Sequence, residues 1–442
     1  MADLSPLPAI QNPATALLTV TAAPERRLAP RSSLFFLIGS LAGGNFLSML
    51  LRLGGSVLQA RCVAPSTLGL FNGIGLVIGY TPLFHLGILD GLNRELPRYV
   101  GKGDQQHAKD LAAAAQAWAI AVGTILGVAL LMVAGWQLAH GKFMLAFGWL
   151  TNAITAFLYL YTGYLQMTYR TSQDFARLAL VGVLGNAVAL VLVVLVAFLN
   201  FYGLCLRAII VSVLSVLLLY YSRPLRVGPR WNLGHLKHLL TIGAPILGVN
   251  YLYAFWGLLN ATLVLRFMGT EGMGLYAIVA MASSSFELLP NAVEQVLYPR
   301  MSEQFGRTNQ VHDLGAIWHK PMLLTVVAMV PMTVLSWWLA EPVVRWVAPA
   351  YVGAVPAIQW SLLLPLASSF APVGSFFNVV RRQDLYVTAI LLGMVVYGGS
   401  LCWLIRDHAL LPAFPQAMLA GRVVFLLVCL VFLRHLNRPK AV

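Results

Sequence analysis

Apolar positions dominate this chain in long unbroken runs, such as "LAAAAQAWAIAVGTILGVALLMVAGWQLA" (111 to 139), separated by short polar clusters such as "RELPRYVGKGD" (94 to 104). A helix rises about 1.5 Å per residue, so a hydrocarbon layer about 30 Å thick needs roughly 20 residues. Twelve stretches meet or approach that length: 33 to 53, 68 to 93, 111 to 136, 143 to 167, 176 to 199, 202 to 221, 239 to 265, 273 to 297, 320 to 341, 355 to 379, 386 to 405 and 416 to 433. The pattern predicts an all-α integral membrane protein of about twelve transmembrane helices. The fifth and sixth share a very short turn at "LNFYG" (199 to 203).

Two segments recur. "LQARCVAPSTLGLF" (58 to 71) aligns with "TLVLRFMGTEGMGLY" (262 to 276) at an offset of 205, matching Arg61 to Arg266 and Gly69 to Gly274. "LPRYVGKGDQQHAKDL" aligns with "YPRMSEQFGRTNQVHDL", matching Pro97 to Pro299 and Arg98 to Arg300. Two six-helix lobes follow, spanning 33 to 222 and 239 to 434, with a linker at 223 to 238. An even number of crossings per lobe makes the repeat parallel, about an axis along the membrane normal, as in transporters that expose a central site alternately to each side.

Charge fits this map. Placing the N-terminus inside assigns twenty Lys and Arg to cytoplasmic segments and seven to outer segments or helix ends, Arg207 among the latter. That bias is the positive-inside signature, with both termini cytoplasmic. It also accounts for the net charge of +14, so no nucleic-acid partner is expected. The 442 residues are 59% hydrophobic, above the roughly 45–50% of soluble domains. Residues 1 to 32 hold five prolines and read as a disordered cytoplasmic tail, and 435 to 442 as a second tail. No loop is long enough for a soluble catalytic domain and no G-x-x-x-x-G-K-[ST] occurs, so neither an enzyme nor a nucleotide motor is expected. The four cysteines lack metal-ligand spacing, and no metal or cofactor is expected.

Ionisable groups inside spans cost about 2.5–3.5 kcal/mol each on insertion scales, so each calls for a partner or a wet cavity. The second span carries His85, Asp90, Arg94 and Glu95. Asp90 and Arg94, four apart, can pair along the helix, for gating or as markers of the cytoplasmic interface. In the eighth span Ser284, Glu287, Asn291 and Glu294 share one face, and Pro290 loosens the helix beside them. That stripe suits either an ion-coupling site or an interhelical salt bridge. Arg422, seven residues into the twelfth span, calls for a buried partner. Arg52, Arg61 and Arg266 lie near outer helix ends, where guanidinium forks can receive a pyrophosphate or snorkel to the interface. "NYLYAFWGLLN" places Asn250 and Asn260 among aromatic rings, a surface suited to sugars. Arg98 and Arg300, repeat equivalents at the cytoplasmic face, are candidates for an inner gate.

"LGLFNGIGLVIGYTPLFHLGILDGLNRELPRYVGKGD", "TIGAPILGVNYLYAFWGLLNATLVLRFMGTEGMGLYAIV" and "YPRMSEQFGRT" resemble the polysaccharide-biosynthesis flippases of the multidrug, oligosaccharidyl-lipid and polysaccharide exporter superfamily. The resemblance covers residues 33 to about 434 and rests on Gly, Pro and Arg patterns. It implies two six-helix lobes and transport of an undecaprenyl-diphosphate-linked oligosaccharide from the cytoplasmic to the periplasmic leaflet. It further implies that Arg52, Arg61, Arg94 and Arg266 hold the diphosphate. The chain departs from the lipid II flippases, which look like fourteen-span proteins. The expected partners are the lipid-linked oligosaccharide, membrane lipids, and glycosyltransferases or a polymerase of the same pathway. A multidrug cation antiporter with the same lobes is the alternative, and a membrane glycan polymerase or ligase the third reading.

Overall fold

A computed structural model of the chain describes residues 31–308, 315–370, 372–380, 382–406 and 410–436. Every regular element among these residues is a helix. The first half comprises α1 (Arg31–Cys62), α2 (Pro65–Phe84), α3 (Ile88–Gly101), α4 (Gln105–Ala139), α5 (Phe143–Thr171), α6 (Phe175–Val191) and α7 (Val193–Tyr221). The second comprises α8 (Leu233–Phe286), α9 (Leu288–Thr308), α10 (Gly315–Val347), α11 (Val355–Ser361), α12 (Leu363–Ser368), α13 (Pro372–Val379), α14 (Gln383–Leu404) and α15 (Ala413–Leu436). Nine helical stretches among the described residues are long and apolar enough to cross a bilayer. The expected tails fall largely outside the described residues, but Arg31 and Ser32 already belong to α1.

Backbone chemistry sets where the helices break. Pro65 at the start of α2 supplies a pre-set φ where an N–H would be unsatisfied anyway. The single span expected over 68 to 93 is two helices, because Leu86 (φ 53°) and Gly87 (φ 86°) turn left-handed between α2 and α3. Asn200 (φ 47°, ψ −115°) reverses the chain inside α7, at the turn expected between the fifth and sixth spans. Gly269 (φ 67°, ψ −164°) does the same inside α8, which is therefore two helices meeting at a corner. The expected eighth span is interrupted at Glu287, where Pro290 withholds the N–H that would bond the carbonyl of Phe286. The tenth span is in three pieces, α11 to α13, each containing or starting with a proline. Helix α8 begins at Leu233, so it takes up the second part of the expected linker.

Within the first half, α1 packs on α6, α4 on α5, and α7 on α5 and α6. Within the second, α14 packs on α15, α11 and α12 on α15 and α8, and α13 on α9. The halves meet chiefly where α2 and α3 lie along α8. Their backbones touch. A Cβ on Gly69 would lie 1.6 Å from the Thr270 carbonyl oxygen, and one on Gly274 would lie 1.8 Å from that of Pro65. These two contacts are equivalent under the 205-residue offset, so the seam obeys the pseudo-symmetry read from the sequence. At the other end a Cβ on Gly243 would be 1.8 Å from the Gly87 carbonyl, and one on Gly91 2.3 Å from that of Leu239. In lipid, where apolar burial does not drive helices together, small residues allow this close packing. Tyr80 to Thr262 (2.8 Å) and Tyr251 to the Gly79 carbonyl (2.8 Å) add hydrogen bonds along the seam. Tyr351, fully buried, donates to the Val63 carbonyl at 2.9 Å.

Side chains cannot relieve an overlap with a carbonyl. Gly69→Val or Gly274→Val should therefore cost at least about 3 kcal/mol, the upper end for overpacking. The measurements are the unfolding temperature in detergent and the labelling, by a hydrophilic maleimide, of a cysteine replacing Asn72. The unfolding temperature should fall and the labelling should become faster. Gly135→Val, where a Cβ meets nothing within 4 Å, should change neither.

Candidate functional site

Between the halves lies a cavity of about 710 Å³, walled by α2, α5, α7 and both segments of α8. Its polar lining comprises Asn72, Thr151, Asn152, Thr155, Arg207, Ser212 and Tyr276. Arg207 is the one charged side chain among the described residues that line it. Its position is fixed: Nε donates to the Ala189 carbonyl of α6 at 2.8 Å, and Nη1 donates to the Gln59 side chain of α1. A guanidinium has five N–H donors, so this anchoring leaves others for the cavity. Asn152 is held by donation to the Ile74 carbonyl at 2.8 Å. Thr151 and Thr155 donate to carbonyls one turn back, which leaves their oxygen lone pairs as acceptors. The arrangement offers one fixed positive charge amid amides and hydroxyls.

Tyr276 links this cavity to the second half. Its hydroxyl accepts from Asn260 Nδ2 at 2.5 Å, and Asn260 Oδ1 accepts from Tyr397 at 2.9 Å. Asn260 is thus a buried brace for Tyr276 and does not line the cavity.

A second pocket, about 220 Å³, lies inside the second half and gathers Tyr253, Glu287, Asn291, Glu294, Ser368, Tyr386 and Arg422. The stripe on the eighth span thus meets the charge on the twelfth. Arg422 Nη1 donates to Glu287 Oε1 at 3.0 Å and to Ser368 Oγ at 2.7 Å, and its guanidinium sits 5.8 Å from the Tyr253 ring centroid. Both charges are largely withdrawn from solvent, with side chains 16% and 28% exposed.

The other predicted residues lie elsewhere. Arg52, Arg94, Arg266 and Asn250 are exposed and line neither pocket. Arg61 donates from Nε to the Val347 carbonyl at 2.7 Å and stacks over Trp346 at 5.3 Å. The expected Asp90–Arg94 pair does not form. Because α3 starts at Ile88, Asp90 falls in its first turn, where the helix N-terminus favours a carboxylate. Its Oδ2 lies 3.9 Å from His85 Nδ1. Arg98 pairs with buried Glu95 at 3.1 Å, and His238 approaches the same carboxylate at 3.6 Å. Arg300 is exposed on α9. Arg207, assigned from sequence to an outer helix end, is the cavity's cation. A lone arginine in "LCLRAIIVSVL" carried the same signal that singled out Arg422.

Solved structures of MOP superfamily membrane transporters share this fold. An inward-facing multidrug resistance MATE family transporter superposes with a TM-score of 0.74 at 14% identity, over 89% of this chain and 96% of that one. The lipid II flippase MurJ, in an inward closed conformation, gives 0.69 at 12% identity, over 89% and 87%. A MOP superfamily transporter from Pyrococcus furiosus gives 0.63 at 15% identity, over 93% and 98%. A search of curated protein sequences finds no match. The profile of the polysaccharide biosynthesis protein family matches residues 119–349, and the chain belongs to that family.

Removing one partner of a withdrawn ion pair strands the other, at about 3–5 kcal/mol when burial is complete. Arg422→Met or Glu287→Gln alone should cost toward the lower end of that range, given the residual exposure. The double variant should recover most of the loss, read as a coupling energy in thermal unfolding. Additive losses would show that the pair is not formed.

Proposed function

We propose that the protein is an alternating-access flippase. It moves a polyprenyl-diphosphate-linked oligosaccharide from the cytoplasmic to the outer leaflet of the bacterial inner membrane for surface polysaccharide synthesis. The observation that carries this reading is Arg207, held rigidly in a cavity otherwise lined by amides, hydroxyls and apolar groups. Burying an unpaired charge in hydrocarbon costs several kcal/mol or more, which makes unassisted passage of a diphosphate prohibitive. A guanidinium matches phosphate oxygens with charge-assisted, bidentate hydrogen bonds, and amide and hydroxyl groups match sugar hydroxyls. The polyprenyl tail remains in the bilayer throughout. In this reading both termini are cytoplasmic, residues 33 to 222 and 239 to 434 form the two moving lobes, and the lobes separate at the glycine seam. Glycosyltransferases on the cytoplasmic side supply the substrate, and a polymerase or ligase consumes it on the other.

The Glu287, Asn291, Glu294 and Arg422 pocket serves in this reading as the coupling element. Tyr276 borders the cavity and is tied into the second half by its bond to Asn260, which in turn accepts from Tyr397. The multidrug antiporter reading draws on the same pocket and on the MATE-like fold. A cavity whose charged lining is a cation disfavours an organic cation as cargo.

A hydrogen bond to a charged group contributes about 1.5–3 kcal/mol, or about tenfold to 150-fold. Arg207→Ala should lower export of the lipid-linked oligosaccharide by that factor in cells, with the intermediate accumulating on the cytoplasmic leaflet. Arg207→Lys, which keeps charge but loses the fork, should fall between. Undiminished export by Arg207→Ala, with efflux of a cationic dye, would favour the antiporter.

A further inference from the structure

A groove of about 290 Å³ lies at the junction of the halves, on the face of α8 opposite the cavity. Met273, Tyr276, Ala277 and Ala280 of α8 wall the cavity, whereas Ile278, Met281, Ala282 and Phe286 wall the groove. One helix therefore separates the two, a thickness of about 10 Å. Val57 and Ala60 of α1 form the second wall. The third is a stripe on α10, Ser336, Leu339, Ala340, Val343, Val344 and Val347. From Ser336 to Val347 that stripe runs about 16 Å at 1.5 Å per residue, about half of a hydrocarbon core.

One end of the groove is charged. Arg61 follows Ala60 on α1 and anchors to the carbonyl of Val347, itself a groove residue. Its exposed guanidinium retains donors beyond the two directed at Trp346 and Val347. Trp346, 78% exposed beneath Arg61, marks this end as the membrane–water boundary, where tryptophans concentrate. Arg345, the other cation nearby, is already paired with Glu341 at 2.5 Å.

We infer that this groove holds the polyprenyl chain of the lipid-linked substrate, with its phosphate at Arg61, when the head group leaves the cavity on the Arg61 side. The identity of the lipid rests on the flippase reading. Three features favour this occupant. The groove is a single apolar channel, its charged end complements a phosphate, and it adjoins the cavity across one helix at the boundary of the moving halves. A chain seated there keeps its diphosphate within reach of the cavity mouth.

The test is photolabelling of the wild-type protein in phosphatidylethanolamine and phosphatidylglycerol vesicles. One probe is a polyprenyl diphosphate with a diazirine in its tail, and the other is phosphatidylglycerol with the same group in an acyl chain. The polyprenyl probe should mark peptides covering 57 to 60, 278 to 286 and 336 to 347 at least about tenfold more strongly, a difference of about 1.4 kcal/mol in affinity. Unlabelled polyprenyl diphosphate should chase it. Ala340→Trp, which fills the channel, should lower labelling by about tenfold, and Ala340→Ser should not. Equal labelling by both probes would identify an ordinary lipid site and overturn the inference, as would absence of label from these peptides. Translocation by the same vesicles separates this from the function itself. Arg207→Gln should lower transport at least about tenfold while groove labelling persists. Groove labelling without wild-type transport would remove the flippase reading and leave the groove standing.

Discussion

The structure depends on one constraint: two helices from different halves cross with their backbones in contact. At Gly69 and Gly274 no side chain fits, since each position lies against a carbonyl of the other half. The same holds at Gly87, Gly91 and Gly243 toward the other end. Lipid offers no hydrophobic incentive for helices to associate, so close approach and its dispersion contacts must supply it. Such a contact is strong when closed, yet it involves few interlocking side chains. It can part along its length without unthreading them. The cavity lies beside this seam, and in the flippase reading the opening of the seam governs access to it.

A second principle orders the charges. An ionisable group at membrane depth persists only with partners or in a polar cavity. Arg422 has Glu287 and Ser368, and Glu95 has Arg98 and His238. Arg207 has only neutral partners, the Ala189 carbonyl and the Gln59 amide. Its charge is therefore not neutralised by the protein among the described contacts. In a transporter this is the distinction between a structural ion pair and a site prepared for an anion.

Much of this was legible in the sequence. Length and hydropathy give the all-helical membrane class, and the repeat pairs Gly69 with Gly274 without saying that either glycine meets the opposite half. The stripe of Glu287, Asn291 and Glu294 and the unexplained Arg422 each implied a partner, and the structure brings them together in one pocket. Span number and periodicity say nothing of rotation about a helix axis, so Arg52, Arg94 and Arg266 could not be told from cavity residues. Arg207 was lost for the complementary reason. The chain reverses at Asn200 inside α7, so from sequence Arg207 counts as a residue near a helix end, yet the Ala189 carbonyl and the Gln59 side chain hold it at the cavity wall. Helix breaks at Leu86, Gly87 and Glu287 were likewise invisible to hydropathy, which averages over them.

In the flippase reading the cavity carries an anionic, lipid-linked head group across the membrane. The most direct measurement places a lipid-linked oligosaccharide in the inner leaflet of vesicles containing the purified protein and follows capture of the sugar by an external lectin. The sugar should appear outside in protein-containing vesicles and not in protein-free ones. No acceleration over protein-free vesicles, together with exchange of an organic cation by the same preparation, would contradict it.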